Sequence, residues 1–465
     1  MYAARKTRFS QVQPTATPVT VPASVNGINA VSSLMKMSPE DCIYTYNLVP
    51  VEYGLRLRKG YREWATGCIE EPPRGTGEVR TIIPFESNIQ AVANDRLFAV
   101  TDEGIWNTTL FNTTTPTQMV GAAEGWTDVG TATNTAAGKG VWCEFTGDAA
   151  GDGVRGHYLF YADGLNGLWQ YEESTDTWTR PPSGITATDW FYDDPTSPGT
   201  PLAFPVDDVA FVMVHKQRIW VILEDDDDAW YLPLASITGE LKKFNFGSKM
   251  PRGGNLMGLW NWTIDGGDGV DDMLVAVSRG GDVIVYQGED PEIIANGSNI
   301  GPWQTRGLWF IGEVPESRRI AADFGSDLLI LSVYGLNSLA ALMRGKTEGI
   351  YDVTSPSRPI NRFLRADIEN GKSINQWQLT RNPSDGFLQI VTPSPTNTPF
   401  VQYNMNVSTG AWGFWEGVPM TCGATWGGEY FMGAAVTHSP GVVFIYDGSF
   451  DGTRLDRDWE TFMLY

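Results

Sequence analysis

A run of acidic residues is the feature of this sequence that could most directly do chemistry. Glu224 and the four aspartates 225–228 stand side by side between two apolar stretches. Five adjacent carboxylates cannot be buried together, because each would lose its hydration. The run is therefore consistent with a solvated hairpin loop, with an acidic wall facing a pore or DNA, or with a metal site. We take the acidic channel wall as the candidate site: Glu224, Asp225, Asp226, Asp227 and Asp228.

Metal binding is the weakest of these interpretations. Consecutive side chains point in alternate directions, which makes a poor cage for calcium. A second acidic stretch, residues 265–272, superficially resembles a calcium loop, but its twelfth position is Ala276 where such loops carry glutamate. Asp148 and Asp152 form a weaker candidate still. With 55 acidic residues, no carboxylate pair is singled out for glycoside hydrolysis either. We therefore predict no metal ion.

Other catalytic groups are sparse. The three histidines are isolated from one another in sequence: His157, His215 and His438. The four cysteines form no CxxC pair and are expected to be reduced thiols: Cys42, Cys68, Cys143 and Cys422. Neither a GxSxG nucleophile turn nor a phosphate-binding glycine loop occurs. The sequence thus predicts no enzymatic activity and no cofactor.

Charge is distributed unevenly along the chain. The net charge is −22, yet residues 1–62 hold eight basic and three acidic residues, which gives +5. The rest of the chain holds 25 basic and 52 acidic residues, or −27. A body this acidic repels phosphates, so affinity for nucleic acid is not expected, although DNA could pass without sticking.

The first 77 residues read as two segments. Residues 1–26 carry three prolines within 11–24 and no apolar periodicity. They predict an extended arm, either a floppy terminus or one that pairs with a neighbouring subunit. Residues 27–77 predict a docking segment, with a short helix starting at Ser38-Pro39 and a basic strand over 53–61. The candidate docking surface is Arg5, Lys6, Arg8, Arg56, Arg58 and Lys59.

Residues 78–465 predict an all-β domain. Short apolar strands alternate with Gly/Asp turns, and the turns recur near residues 104, 167, 228, 281, 335, 399 and 441. A period of roughly 50–60 residues is typical of a β-propeller, here with six or seven blades. The alternative is a pair of β-sandwich domains. No run of 18 apolar residues predicts a membrane span, and no secretory signal is expected at the N-terminus.

Several short motifs, taken in order, resemble a known family. They are Gly27-Ile28-Asn29, Met37-Ser38-Pro39-Glu40-Asp41, Leu57-Arg58-Lys59-Gly60-Tyr61, Arg252-Gly253-Gly254, Trp262-Thr263-Ile264-Asp265-Gly266-Gly267, Val285-Tyr286-Gln287-Gly288-Glu289-Asp290-Pro291 and Met405-Asn406 with Thr409-Gly410-Ala411-Trp412. Together they resemble the β-propeller tail hub or nozzle proteins of short-tailed bacteriophages. The resemblance runs over about residues 26–452. The chain departs from the family in Cys42, where alanine is usual, in its short C-terminus and in its proline-rich arm.

The resemblance implies a structural virion protein without enzymatic activity. Relatives form six-fold rings below the portal and adaptor, continue the DNA channel and retain packaged DNA until ejection. The implied partners are further copies of the chain, adaptor or head–tail connector proteins, and a tail fibre or tailspike. The implied location is the virion tail, after assembly in the host cytoplasm. The alternative is a glycan-binding propeller for host attachment, because 18 tryptophans could stack on sugar rings.

Overall fold

The structure is a computed structural model that describes most of the chain. The described residues are 22–88, 94–127, 137–148, 155–265, 270–294, 302–345, 355–393, 400–437, 439–447 and 462–464. The arm residues 1–21 therefore lie outside the described part. Among the described residues, no helix is long and apolar enough to cross a membrane.

Six short strands form the N-terminal segment, residues 22–65. They are β1 (Gly27–Ile28), β2 (Asp41–Cys42), β3 (Tyr44–Tyr46), β4 (Leu48–Val51), β5 (Gly54–Leu57) and β6 (Gly60–Ala65). β4 and β5 pair as a hairpin, whereas the other four join sheets formed by the rest of the chain.

The next three sheets are blades 1 to 3. Blade 1 comprises β7 (Val79–Phe85), β8 (Arg96–Thr101), β9 (Gly104–Asn107) and β10 (Thr117–Val120). Blade 2 comprises β11 (Val141–Asp148), β12 (Arg155–Ala162), β13 (Leu168–Glu172) and β14 (Thr177–Thr179). Blade 3 comprises β15 (Trp190–Asp193), β16 (Pro201–Ala203), β17 (Val209–His215), β18 (Arg218–Leu223), β19 (Ala229–Tyr231) and β20 (Gly239–Phe244).

Four more sheets complete the chain. Blade 4 comprises β21 (Leu256–Asp265), β22 (Val270–Ser278), β23 (Asp282–Gln287), β24 (Asp290–Ile294) and β25 (Pro302–Phe310). Blade 5 comprises β26 (Ala321–Phe324), β27 (Asp327–Ser332) and β28 (Gly335–Ser338), followed by helices α1 (Leu339–Met343) and α2 (Asn361–Gly371). Blade 6 comprises β29 (Gln378–Asn382), β30 (Phe387–Val391), β31 (Val401–Asn406) and β32 (Trp412–Glu416), and blade 7 comprises β33 (Met420–Trp426), β34 (Glu429–Ala434), β35 (Val443–Asp447) and β6. β36 (Phe462–Leu464) pairs with β3, and 3₁₀ turns cover Ala122–Glu124, Val206–Asp208, Gly247–Lys249 and Arg358–Ile360.

These sheets are arranged as a β-propeller. The innermost strands of blades 1 to 7 are β7, β11, β17, β21, β26, β29 and β33. β7, β11, β17 and β21 pack side by side, β21 packs against β27 of blade 5, and β26, β29 and β33 continue the series, with β33 beside β7 to close the ring. Six of the described blades have four or more strands, and blade 5 has three. The prediction of six or seven blades is therefore confirmed. Inner strands such as β8, β18 and β23 are buried on both faces, which requires that each sheet stacks on its neighbours.

Pairing between the two ends of the chain closes the ring. β6 is the outer strand of blade 7 and pairs antiparallel with β35, from Ala65 opposite Val443 to Gly60 opposite Asp447. β1 pairs with β32 at the outer edge of blade 6. Strands β1, β2, β3 and β6, predicted as part of a separate docking segment, are therefore built into the last two blades, whereas β4 and β5 form a separate hairpin.

The short helix predicted at Ser38-Pro39 is wrong. The Asp41 carboxylate accepts hydrogen bonds from Ser38 N (3.2 Å), Asn29 Nδ2 (2.7 Å) and Asn26 Nδ2 (3.0 Å), which fixes a loop in place of a first helical turn. The chain then continues directly into strands β2 and β3. Conversely, the sequence analysis missed α2. This helix has only a short apolar stripe in the sequence, and its burial depends on packing against blade 5.

Candidate functional site: the central cavity and the acidic loop

The innermost strands of blades 2 to 6 surround a cavity of about 400 Å³. Blades 2 to 6 supply its walls, and most of the lining side chains are apolar or aromatic. They include Val141, Trp142, Cys143, Phe211, Val212, Met213, Leu259, Trp260 and Leu379. Asn261, midway along β21, and Asp323, near the end of β26, also line the cavity and are exposed, so the cavity opens beside them. Its size and lining fall in the range of small-molecule sites.

Two arginines lie at the opposite end of the cavity, just before β26. Arg318 donates to the carbonyl oxygen of Leu256 and to the carboxylate of Glu224, both at 3.0 Å. Arg319 reaches from blade 5 to blade 1, where its Nη1 donates to the carbonyl oxygen of Arg80 at 2.9 Å. Blades 5 and 1 are not neighbours, so the Arg319 side chain crosses the centre of the propeller and closes this end.

Arg319 belongs to a buried charged group that we call the plug cluster: Glu78, Arg80, Asp102, Lys139 and Arg319. The Arg80 guanidinium lies 3.1 Å from the Glu78 carboxylate and 3.7 Å from that of Asp102. Burial, with Arg80 as the next cause, lowers the pKa of Lys139 to about 8. The cluster thus holds three cationic side chains and two carboxylates.

Buried aspartates recur in blades 1 to 4, at the turn that follows the second strand counted from the propeller axis (β8, β12, β18 and β22). Each accepts a backbone N–H from a loop that enters or leaves its blade, which ties that loop to the sheet. The pairs are Asp102 with Gly77 (3.0 Å), Asp163 with Gly138 (2.8 Å), Asp228 with Phe246 (2.8 Å) and Asp282 with Arg252 (2.7 Å). The recurring Gly/Asp turn in the sequence was the signal for these residues, but it indicated only a turn.

The acidic run Glu224–Asp228 is the turn between β18 and β19 of blade 3, and none of its side chains lines the central cavity. Asp228 is buried and lies 3.1 Å from Lys243 Nζ, and Asp225 accepts a hydrogen bond from Asn255 Nδ2 (2.6 Å). Glu224 is bound to Arg318. The acidic wall is therefore not the wall of the propeller's own cavity. Whether these residues face the lumen of a ring stays a prediction.

A lysine side chain occupies the place that a metal ion would take in this loop. The ligand atoms of Asp226, Asp227 and Asp228 all lie within 4.8 Å of one another. However, Lys243 Nζ also lies 3.7 Å from Asp226, so an ammonium group already neutralises this corner. The calcium-like stretch 265–272 and Asp152 lie largely outside the described residues. Asp272 itself accepts a hydrogen bond from Thr263 Oγ1 (2.6 Å).

The predicted docking residues do not form one basic face. Arg5, Lys6 and Arg8 lie outside the described residues. Arg56 is exposed, whereas Arg58 is only 2% exposed and its Nε donates to Asn47 Oδ1 (2.8 Å). Lys59 is paired with Asp385 at 2.8 Å. In one continuous strand over 53–61, alternation would place Arg56 and Arg58 on the same face. The strand instead breaks after Leu57, and Arg58 turns inward.

Exposed apolar side chains cluster instead in the N-terminal segment. Val31, Leu34, Met35, Tyr53 and Leu57 are exposed, and Met35 is 98% exposed. Sequence reasoning missed this surface, although apolar residues in a loop rich in serine (residues 31–37) were a visible signal.

The described cysteines and histidines are poor catalytic candidates. Burial raises the pKa of Cys42 to about 12 and raises that of Cys68 further, so neither thiolate is available near neutral pH. Burial lowers the pKa of His215, whose Nδ1 lies 2.7 Å from Asn261 Oδ1. The hydrogen bond to Glu144 raises the pKa of His157. The His157 ring also contacts the carbonyl oxygen of Glu86, which links blade 2 to blade 1.

Comparison with known proteins gives similarity to solved structures and to no protein family. No protein-family model and no curated protein matches this chain. Among solved structures, YCF48 from Cyanidioschyzon merolae is 11% identical, with 86% of this chain and 98% of that chain covered and a TM-score of 0.35. The RRP9 WD40 repeats are 8% identical, with 83% and 98% covered and a TM-score of 0.35. BBS1N, in complex with ARL6DN, is 11% identical, with 56% of this chain and 64% of that chain covered and a TM-score of 0.30. The propeller assignment rests on the sheet topology of this chain.

Proposed function

We propose that this chain is a structural subunit of the tail of a short-tailed phage. Copies of it form a hub or nozzle ring, expected to be six-fold, below the portal and adaptor. The ring continues the DNA channel and retains packaged DNA until ejection. In this role the chain needs surfaces for its neighbours and no catalytic centre.

The observation that carries the proposal is the ordered series of family-like motifs, several of which meet at one junction. Gly27 of the first motif pairs with Trp412 of the last. Asn406, in that same last motif, donates from Nδ2 to the carbonyl of Pro50 at 2.9 Å. Arg58 of the Leu-Arg-Lys-Gly-Tyr motif donates from Nε to Asn47 Oδ1, in the residue just before the β4–β5 hairpin. Motifs nearly 400 residues apart in sequence therefore build a single structure, as residues of a shared architecture would.

The charge of the body supports the same role. The chain outside residues 1–62 carries −27. An acidic conduit repels DNA phosphates, so the polymer slides without binding. Affinity for DNA is thus not part of the proposal, and neither is a cofactor or metal.

The distribution of aromatic side chains favours this role over glycan binding. Sugar sites need several solvent-facing aromatic rings on one face. In the part of the chain that the structure describes, no tryptophan is exposed, and the exposed aromatic residues are Tyr53 and Phe111. The tryptophans pack between and within blades, as in the stack of Trp220 on Trp303.

Reconstitution of the tail tests the proposal. The purified chain is mixed with portal–adaptor complexes of the phage that encodes it and imaged by electron microscopy. We expect a ring of six copies below the adaptor. Failure to bind these complexes at any salt concentration would contradict the proposed function.

The same assay tests the basic arm. Opposite charges steer assembly, so we expect binding to weaken as sodium chloride rises. Combined substitution of Arg5, Lys6 and Arg8 by glutamate should weaken it about ten-fold or more. The matched control reverses three exposed arginines elsewhere: Arg306, Arg344 and Arg362. Ring formation without salt dependence would reject the role of the arm alone.

A further inference from the structure

Arg319 is a buried cation with unused hydrogen-bonding capacity. Its side chain is 7% exposed and lines the central cavity. Nη1 donates to the carbonyl of Arg80 and lies 3.4 Å from Thr81 Oγ1, but Nε and Nη2 have no partner. A buried cation with unmade hydrogen bonds is costly, so the site favours an anion that would complete it.

The charges around Arg319 do not supply that anion. The plug cluster has three cations against two carboxylates, and both carboxylates lie beside Arg80. Arg318, the next arginine, already has Glu224. Among the described residues, the Arg319 guanidinium thus forms no ion pair with a carboxylate.

The unpartnered edge of the Arg319 guanidinium favours anions that present two oxygens. Nε and Nη2 form one side of the planar guanidinium, and their two N–H bonds point the same way. This edge binds the two oxygens of a carboxylate or phosphate in parallel. Both atoms are shielded from solvent, so the guanidinium must tilt towards the cavity to meet a ligand.

The cavity walls decide between these two anions. Beyond the arginines the walls are mostly apolar, with the rings of Trp142, Phe211 and Trp260 among them. Inorganic phosphate would leave these walls unused, whereas a carboxylate on an aromatic body would bury its apolar surface against them. The volume of about 400 Å³ admits one such molecule.

We propose that the central cavity binds a small organic carboxylate, with the carboxylate on Nε and Nη2 of Arg319 and an apolar body of one or two rings between the aromatic walls. This inference is independent of the role in a phage tail. The ligand enters through the end where Asp323 and Asn261 are exposed. Asp323 at this mouth disfavours dianions, which adds to the preference for a monoanion.

Calorimetry with defined probes tests the proposal on the full-length chain. The probes are 2-naphthoate, its neutral analogue 2-naphthamide, benzoate and inorganic phosphate. We expect 2-naphthoate to bind at least ten-fold more tightly than 2-naphthamide or phosphate, and more tightly than benzoate. No binding of either carboxylate, equal binding of acid and amide, or binding of phosphate as tight as that of 2-naphthoate would overturn the proposal.

Variants assign the binding to Arg319. Arg319→Met removes the charge at similar length and should abolish the preference for the acid over the amide. Arg319→Lys keeps the charge but loses the two parallel N–H donors, so it should weaken the binding of 2-naphthoate about ten-fold. This variant is the alternative test if Arg319→Met does not fold. The control is Lys372→Met, which removes a surface cation paired with Glu313. An unchanged preference in folded Arg319→Met protein, or an unchanged affinity for 2-naphthoate in folded Arg319→Lys protein, would overturn the assignment.

Discussion

At the scale of single residues, the properties of this propeller depend on charges buried near its axis. Arg80, Lys139 and Arg319 come from three different blades or their connections, and Arg319 meets a residue 239 positions away. Isolated charged residues form no pattern in a sequence, so the plug cluster could not be predicted from it. The conspicuous acidic run 224–228, by contrast, is a loop whose acids mostly have partners of their own.

Lys139 makes the stability of the protein depend on pH. Burial lowers its folded pKa to about 8, well below the value near 10.4 of an unfolded chain. Between these values the unfolded state binds more protons, so the contribution of Lys139 to the free energy of unfolding rises with pH. Lys139→Met should therefore be more stable than the parent at pH 7 by up to about 3 kcal/mol, and this advantage should shrink towards pH 10.

Urea unfolding of both proteins at pH 7 and pH 10 measures this difference. Lys36→Met, at an exposed position, is the control and should show little change at either pH. A difference between Lys139→Met and the parent that does not vary with pH would contradict the account.

The buried turn aspartates should be strongly stabilising. Asp102 accepts hydrogen bonds from the backbone of Thr76 (2.7 Å) and Gly77 (3.0 Å) and faces Arg80. Asp102→Ala should lower the free energy of unfolding by about 3–5 kcal/mol, because it leaves buried donors and a buried cation without partners. Asp208→Ala, at an exposed position, should change it by less than about 0.5 kcal/mol. Equal effects in urea unfolding would refute this role.

At the scale of elements, the strands were predictable and their partners were not. Alternating and continuous apolar runs such as 97–101 and 328–332 gave the blade strands directly. The pairing of β6 with β35 brings together residues from opposite ends of the chain, which no local pattern encodes. The helix predicted at Ser38 was wrong because Asp41 accepts hydrogen bonds from the loop, and α2 was missed because its burial depends on packing against blade 5, which its short apolar stripe does not indicate.

Gly27 tests how the N-terminal segment is held. Its φ is +70°, and a Cβ atom there would lie 2.4 Å from the carbonyl oxygen of Trp412. Gly27→Ala should therefore weaken the docking of residues 22–46 on blade 6. Gly325→Ala is the matched control, because Gly325 also has positive φ (+62°) but open space around it.

Both variants pay the backbone cost of about 1 kcal/mol, and only Gly27→Ala adds the clash. We expect faster proteolysis within the N-terminal segment and a thermal midpoint several degrees below that of Gly325→Ala. Identical proteolysis and midpoints for the two variants would show that β1 does not fix this segment.

At the scale of the whole molecule, the spacing of turns in the sequence predicted a propeller of six or seven blades and did not decide between the two numbers. Ring closure through the N-terminal strand leaves the exposed apolar side chains of residues 31–57 at the outer edge of the last blades. The role in a phage tail rests on the ordered motifs and on the acidic body, and it stays a proposal about where the molecule works.

Immunogold labelling of virions tests that proposal most directly. Antibodies against the purified chain are applied to negatively stained particles of the phage that encodes it. The account predicts gold at the tail end of short-tailed virions, with none on tail-less heads. Label elsewhere on the particle, or on free protein only, would contradict a tail hub or nozzle.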